Sequence, residues 1–198
     1  MLHFQRKNPG YWSIKETKTI LQEIGGPGKI LEMTNLFYER FKQDKYINSF
    51  LRDHSEPHGE RLANWLVEKM GQGAPWSEDL NNRPYKEIQL ADGKTTVVRD
   101  RTSAHFAAWF SPKRKKKDVG RRFKLKDCRI WMRLMFWSAR DIGLFEFENF
   151  KDWFVEFIGH FISIYEATAP PYAQESEEWS LNKKKVHRYM KHNEMSDL

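Results

Sequence analysis

The chain has 198 residues with a net charge of +7, and its 39% hydrophobic and 15% aromatic residues suit one domain with extensions and a buried core. Its single cysteine, Cys128, excludes an intrachain disulfide. No apolar run is long enough to cross a membrane and the first residues lack the apolar segment of a signal peptide, so we expect no membrane insertion and a cytoplasmic location.

The first third of the chain has apolar residues three or four positions apart, which is the spacing of amphipathic helices. The predicted helices span 17–26, 28–44 and 58–70. Gly26 suits the end of the first helix, and Pro27 suits the first turn of the second. Residues 1–16 show no such period and are predicted to form an N-terminal extension, and 45–57 a connector.

The middle of the chain changes character. Residues 86–100 alternate apolar and polar side chains around Asp92 and Gly93, a pattern typical of either a β-hairpin or an irregular loop. The segment RTSAHFAAWF at 101–110 is long enough for one or two helical turns. A basic, polar loop is predicted at 111–122.

Two long helices are predicted at 125–143 and 147–169, and the second is stopped by two prolines. Residues 170–198 are mostly polar and are predicted to form a C-terminal tail with one helical segment, NKKKVHRYMKH. The chain has no internal repeat. The predicted elements together indicate an all-α protein whose crossing helix pairs could enclose a pocket.

Several of these segments contain motifs that occur in the same order in a known family. The motifs are a glycine pair at 25–26, LFYERFKQD at 36–44, HGERLANWLVEKMGQG at 58–73, an Arg-x-x-x-His segment at 101–105 and RIWMRLM at 129–135. In this order they resemble the truncated haemoglobins, most closely the second group, over residues 17–169. The resemblance implies a globin-like two-over-two helical sandwich around haem b, with terminal extensions and with insertions near 83–100 and 111–122. The haem would be held non-covalently, because the chain has no C-x-x-C-H motif.

The resemblance implies that His105 is the proximal ligand of the haem iron. The alternative is a structural histidine in an apolar segment. Other histidines match the proximal position less well, and they are His3, His160, His187 and His192. Between the predicted helix at 58–70 and the Trp131 helix, His105 is the one histidine of the sequence.

The resemblance also implies a distal set made of Tyr38, His58 and Trp131. Their O–H and N–H groups are suitable donors to a bound diatomic gas, which carries partial negative charge. His58 could instead bind the iron directly as a sixth ligand. The alternative for Tyr38 and Trp131 is simple core packing.

Four further residues are predicted to contact the haem. Phe50 matches an aromatic that packs on the haem, and Leu62 matches the apolar distal residue. Arg101 could form an ion pair with a haem propionate, and Tyr85 could join it. Solvated charge is the alternative for Arg101.

We therefore expect a haem protein that binds oxygen and other diatomic ligands. Nitric oxide dioxygenation, peroxide chemistry and gas sensing are all compatible with the distal donors. The first two would make the protein an enzyme, for which a reductase could be a partner. A globin-like interaction protein without its cofactor is less compatible, because proximal and distal residues are both present.

The alternative from another class is a haem-free basic module that contacts nucleic acid or another anionic partner through 112–122 and 182–192. The run PKRKKK, Pro112–Lys117, resembles a nuclear import signal as well as a nucleic-acid patch. Nucleic acid is the less favoured partner, because no interleaved aromatic platform is visible in the sequence. His54 and His58 are spaced like a zinc pair but lack a third convincing ligand.

Overall fold

A computed structural model describes residues 15–195 and residue 198 of the chain, so the predicted extension at 1–16 and His3 lie almost entirely outside the described residues. Within that part, the protein is mostly helical, with one two-stranded sheet. The helices are α1 (Lys15–Glu23), α2 (Pro27–Gln43), α3 (His58–Lys69), α4 (Pro75–Asn82), α5 (Arg101–Trp109), α6 (Leu125–Asp141), α7 (Glu148–Ile162), α8 (Tyr172–Leu181) and α9 (Lys183–His192). The strands are β1 (Lys86–Gln89) and β2 (Thr95–Val98). The predicted all-α class is confirmed in this general sense.

The hairpin interpretation of residues 86–100 is confirmed. Strands β1 and β2 pair antiparallel with Lys86 opposite Val98. Gly93 has a φ of 84°, a left-handed conformation that glycine adopts without steric cost, and its N–H donates to the Leu90 carbonyl at 3.0 Å. The hairpin ends directly before α5, so it delivers the chain to the segment that carries His105.

The order of helices agrees with the predicted pattern, with three differences. Helices α4 and α8 were not expected, because both segments are polar. Helix α7 ends at Ile162 rather than at 169. At the end of the helix the Ser163 hydroxyl donates to the His160 carbonyl at 2.5 Å. The chain then continues in turns, so Tyr165 lies beyond the helix.

The polar C-terminal segment forms part of the folded structure. Helix α8 packs along α6, and its Trp179 is buried. The fully buried Arg133 of α6 pairs with Glu175 of α8 at 2.5 Å and lies over the Trp179 ring. Helix α9 is tied to the end of α2 by a buried hydrogen bond from the Tyr189 hydroxyl to Asp44 at 3.1 Å.

Helix α2 lies at the centre of the core and packs against both α3 and α6. The crossing with α3 is close because Gly59 has no side chain: a Cβ there would lie 2.1 Å from the Asn35 Oδ1 atom. The Thr34 hydroxyl also donates to the Gly59 carbonyl at 2.8 Å. This approach brings the first residue of α3, His58, beside the middle of α2.

The basic segment at 111–122 is attached to the fold by one buried cation. Arg114 is 9% exposed, its guanidinium donates to the carbonyls of Trp109 and Arg121 at 2.8 and 2.7 Å, and it lies 4.5 Å from the centroid of Phe50. The remaining cations of the segment point outward. In the part of the chain that is described, no helix has the length and apolar character needed to span a membrane.

Candidate functional site

The three residues predicted for the distal side lie in one cluster. The ring of Tyr38, on α2, stacks on the imidazole of His58 with centroids 5.2 Å apart and planes inclined by 27°. Phe37 joins the cluster to α6, because its ring lies 4.9 Å from Tyr38 and 5.3 Å from Trp131. Tyr38 and His58 are therefore in direct ring contact, and Trp131 is connected to Tyr38 through Phe37, although the three residues belong to three helices.

Tyr38 is half-buried, and its hydroxyl forms no hydrogen bond with any described residue. Burial raises the pKa of this phenol far above its ordinary value, the nearby Arg61 lowers it in part, and Tyr165 raises it further. The phenol therefore keeps its proton at neutral pH.

His58 is held in one orientation by its backbone contact. Its Nε2 atom lies 2.9 Å from the Asp53 carbonyl oxygen, and because a carbonyl can only accept, Nε2 must donate. Burial lowers the pKa of the imidazole, so the ring is neutral and Nδ1 is left as an acceptor. Direct ligation of a metal through Nε2 would require this bond to break.

Helix α5 presents His105 to the interior. Asp100 and Ser103 form a reciprocal capping box that starts the helix at Arg101, so Arg101 and His105 lie four residues apart on one face. Burial lowers the pKa of His105 to about 4, with a further contribution from Arg101, and the imidazole is neutral at pH 7. Its Nδ1 atom is buried and has no hydrogen-bond partner within the described structure.

Two aromatic residues that were not predicted for the site surround the His105 ring. Tyr165, which follows α7, meets the imidazole edge-on at 4.9 Å, and Phe123 does so at 5.5 Å. Tyr165 also influences the pKa of Tyr38, so it lies between the His105 side and the Tyr38 side of the site. A sequence signal for Phe123 did exist, because it is the one aromatic side chain in the basic stretch from 111 to 126.

The Tyr165 hydroxyl resembles that of Tyr38. Burial raises the pKa of Tyr165, Arg101 lowers it in part, and no hydrogen bond joins the hydroxyl to a described residue. The site thus contains one buried imidazole nitrogen without a partner and two half-buried phenols that form no hydrogen bond with a described residue.

The predicted haem-contact residues divide into two groups. Phe50 is 7% exposed and its ring lies 5.0 Å from Phe123, which places it next to the His105 side. Arg101 lies over the rings of Trp65 and Phe161 at 5.3 and 5.9 Å, and it forms no ion pair with any described carboxylate.

Leu62 is partly buried on α3 and packs against the core. Tyr85 is different, because it is 69% exposed and its hydroxyl accepts a hydrogen bond of 2.8 Å from Arg99. Arg99 rather than Arg101 is therefore the partner of Tyr85.

The described residues contain no cluster of three or more histidine, cysteine, aspartate or glutamate side chains suited to a metal ion. Nε2 of His54 bonds to the Asn48 side chain at 2.7 Å, and Nε2 of His58 bonds to backbone, so the spaced histidine pair does not form a zinc site. A haem needs only one protein ligand and is not subject to this criterion.

Electrostatically, the interior of the site is neutral and its edge is positive. Tyr38, His58, His105 and Tyr165 are all uncharged at neutral pH, because burial disfavours their ionised forms. Arg101, which forms no ion pair with a described carboxylate, adds positive charge near them, whereas Arg61 is paired with Glu56 at 2.7 Å. Comparisons of the chain with protein-family models, with curated proteins and with solved structures found no match.

Proposed function

We propose that this protein is a haem protein that binds oxygen and other diatomic ligands. The observation that carries the proposal is the half-buried, neutral imidazole of His105, whose buried Nδ1 lacks a partner among the described residues and whose ring lies against Tyr165 and Phe123. Unpaired polar groups are costly inside a protein, and a bound group that supplies their partners removes that cost.

The residue types present suit haem b, which on binding would have to separate rings that pack on each other, such as those of His105 and Tyr165. Aromatic side chains that would pack against a porphyrin occur on both sides of the site, with Phe50 and Phe123 near His105 and Trp131 near Tyr38. Arg101 has no carboxylate partner among the described residues and is available for a propionate. When bound, the haem would supply an iron centre that takes a diatomic ligand.

The chain itself would perform three tasks. His105, with its pKa at about 4, offers a neutral ring nitrogen at physiological pH and would hold the iron. Tyr38 keeps its proton and would donate its O–H to the gas. The indole N–H of Trp131 can only donate, and His58, oriented by Asp53, supports the Tyr38 ring by stacking.

The two-over-two arrangement belongs to the same proposal, and it is supported by the packing of α2 on α3 and α6. Nitric oxide dioxygenation, peroxide chemistry and gas sensing are extensions of it. A reductase partner would be needed wherever the iron must be returned to its reduced form.

Spectroscopic titration with haem tests the proposal. Purified protein is titrated with haemin, and ferric, ferrous and carbon monoxide-bound spectra are recorded for the wild type, for His105→Ala and for His187→Ala, a surface control on α9. We expect one haem per chain in the wild type and the control, with signals of a histidine ligand that His105→Ala loses. Absence of stoichiometric binding in the wild type, or unchanged histidine signals in His105→Ala, would contradict it.

A further inference from the structure

The segment that follows α5 presents a dense group of exposed cations. Between residues 113 and 126 the exposed cations are Lys113, Lys115, Lys116, Lys117, Arg121, Arg122, Lys124 and Lys126. The nearest acidic residues along the chain offer little compensation, because Asp118 is paired with Lys124 at 3.3 Å and Asp127 is buried. Lys115, Lys116, Lys117 and Arg121 form no ion pair with any described residue, so this surface carries uncompensated positive charge.

The backbone that carries these cations is anchored to the folded core. Arg114 is buried against Phe50, and the Lys113 ammonium donates to the Leu51 carbonyl at 2.7 Å. The Gly120 N–H donates to the Trp109 carbonyl at 2.8 Å. A receptor that reads the run as an extended peptide would have to withdraw Arg114 from the core, whereas a ligand that binds the folded surface would not.

The fold also supplies the aromatic groups that the basic run lacks in sequence. Phe106 of α5 is 38% exposed, and its ring lies 5.0 Å from Phe110 and 6.3 Å from Trp109. The basic segment lies directly on these rings, because a Cβ at Gly120 would be 3.2 Å from the Phe110 ring and Arg122 lies over Trp109 at 5.5 Å. The basic segment therefore contacts the same aromatic group, Trp109 and Phe110, on which the exposed Phe106 ring packs.

From this combination we propose that the surface formed by residues 113–126 and Phe106 binds single-stranded nucleic acid. Its phosphates would be met by the unpaired lysines and Arg121, and a base would stack on Phe106. A duplex keeps its base faces inside the stack and could use only the cations. A lipid surface would require several exposed large apolar side chains among the cations, and residues 111–126 add none to Phe106.

Binding to a fluorescent oligothymidine of about 15 nucleotides, within the range of about 4–16 that single binding folds cover, tests this surface. Anisotropy is measured over a series of salt concentrations. Two quadruple variants are compared. The first combines Lys115→Gln, Lys116→Gln, Lys117→Gln and Arg121→Gln. The matched control removes the same charge from α9 and combines Lys183→Gln, Lys184→Gln, Lys185→Gln and Lys191→Gln. Each phosphate contact contributes roughly 0.7 to the slope of log affinity against log salt, so loss of four cations should lower the slope of the first variant by about 3. We expect the control variant to leave the slope nearly unchanged.

Phe106→Leu separates stacking from charge. Stacking of one base predicts a loss of single-strand affinity of about five- to a hundredfold, with duplex affinity unchanged. Circular dichroism checks that each variant is folded. The proposal is overturned if wild-type protein does not bind the oligonucleotide, if both quadruple variants lower the slope equally, if Phe106→Leu has no effect, or if vesicles of phosphatidylserine and phosphatidylcholine bind this surface while the oligonucleotide does not.

Discussion

The imidazole of His105 meets the ring of Tyr165 edge-on, with centroids 4.9 Å apart and planes inclined by 89°. This contact joins α5 to the turn after α7 and restricts rotation of the imidazole. Because the Tyr165 hydroxyl has no partner among the described residues, the ring and not the hydroxyl provides the restriction.

Tyr165→Leu is therefore expected to weaken haem retention, whereas Tyr165→Phe is not. An aromatic pair contributes about 0.5–1.5 kcal/mol, which corresponds to a roughly two- to twelvefold faster loss of haem in the leucine variant. The rate of haem transfer to an excess of a haem-free acceptor protein measures this. Equal losses in both variants would mean that the hydroxyl is the important group.

Tyr38→Phe and Trp131→Phe are expected to speed the release of oxygen more than they change its entry, because each donor contacts the gas only after it has bound. A hydrogen bond to a charged acceptor contributes about 1.5–3 kcal/mol, so release should accelerate by about one to two decades. Stopped-flow displacement of oxygen measures the rate. The Tyr38 change is the cleaner of the two, since it deletes only the donor.

His58→Leu is the comparison for these variants. His58 Nε2 is occupied by the Asp53 carbonyl, so we expect a smaller effect on release than from Tyr38→Phe. If His58→Leu accelerates release while Tyr38→Phe and Trp131→Phe leave it unchanged, His58 is the main donor and the proposed roles are reversed.

Stability of the haem-free protein is expected to fall on mild acidification because of His105. Its folded pKa of about 4 lies below the ordinary value of 6.5, so between these two pH values the unfolded chain binds a proton that the folded chain excludes. The free energy of unfolding therefore decreases as the pH falls through this window, by about 1–3 kcal/mol from this residue.

Urea unfolding at pH 7 and at pH 4.5, for wild type and His105→Gln, isolates this contribution. The glutamine variant should lose less stability between the two pH values, and His187→Gln, on an exposed position of α9, controls for the loss of a histidine. Identical pH dependence in wild type and His105→Gln would show that His105 is not excluded from protonation by the fold.

Gly59→Ala is expected to separate α3 from α2 and to destabilise the protein. The new methyl group would lie 2.1 Å from Asn35 Oδ1 and 3.2 Å from the Asn35 Cα, so both a side chain and the backbone must move. Overpacking of this kind costs about 1–3 kcal/mol. Because Tyr38 and His58 stack across the same crossing, the distal site should change with it.

Gly28→Ala is the matched control, since a methyl group added there would have no atom within 4 Å and the φ of Gly28 is not left-handed. Thermal unfolding of both variants measures the difference. An equally stable Gly59→Ala protein would show that the α2–α3 approach tolerates expansion.

Arg114→Gln is expected to destabilise the fold, whereas Lys116→Gln is not. The Arg114 guanidinium satisfies two backbone carbonyls and packs on Phe50, so its loss should cost about 2–3 kcal/mol. Lys116 is exposed and carries the same charge. Chemical denaturation of the two variants measures the difference, and equal stability would mean that Arg114 does not anchor the segment.

The sequence by itself determined the elements that depend on local spacing. Ile30, Met33, Phe37 and Phe41 recur with the helical period, and all four are buried on α2. The hairpin was recognisable for the same reason, because an Asp-Gly turn between alternating residues is a local signal. The motif order also proposed Tyr38, His58 and Trp131 as one set; in the structure Tyr38 stacks on His58, and Trp131 contacts Phe37 beside them.

Only the tertiary structure decided the contacts between segments that are remote in the chain. Helix α8 is polar in sequence, and it is held by Trp179 and by the pair of Glu175 with Arg133 on α6. Tyr165 showed no pattern that related it to His105, and Trp109 none that related it to Arg122, although both pairs are in contact in the structure. The spacing of apolar residues along one helix indicates which face of that helix is apolar. It does not indicate which segment packs against that face or which polar groups are left without a hydrogen-bond partner, because both depend on how all the helices pack.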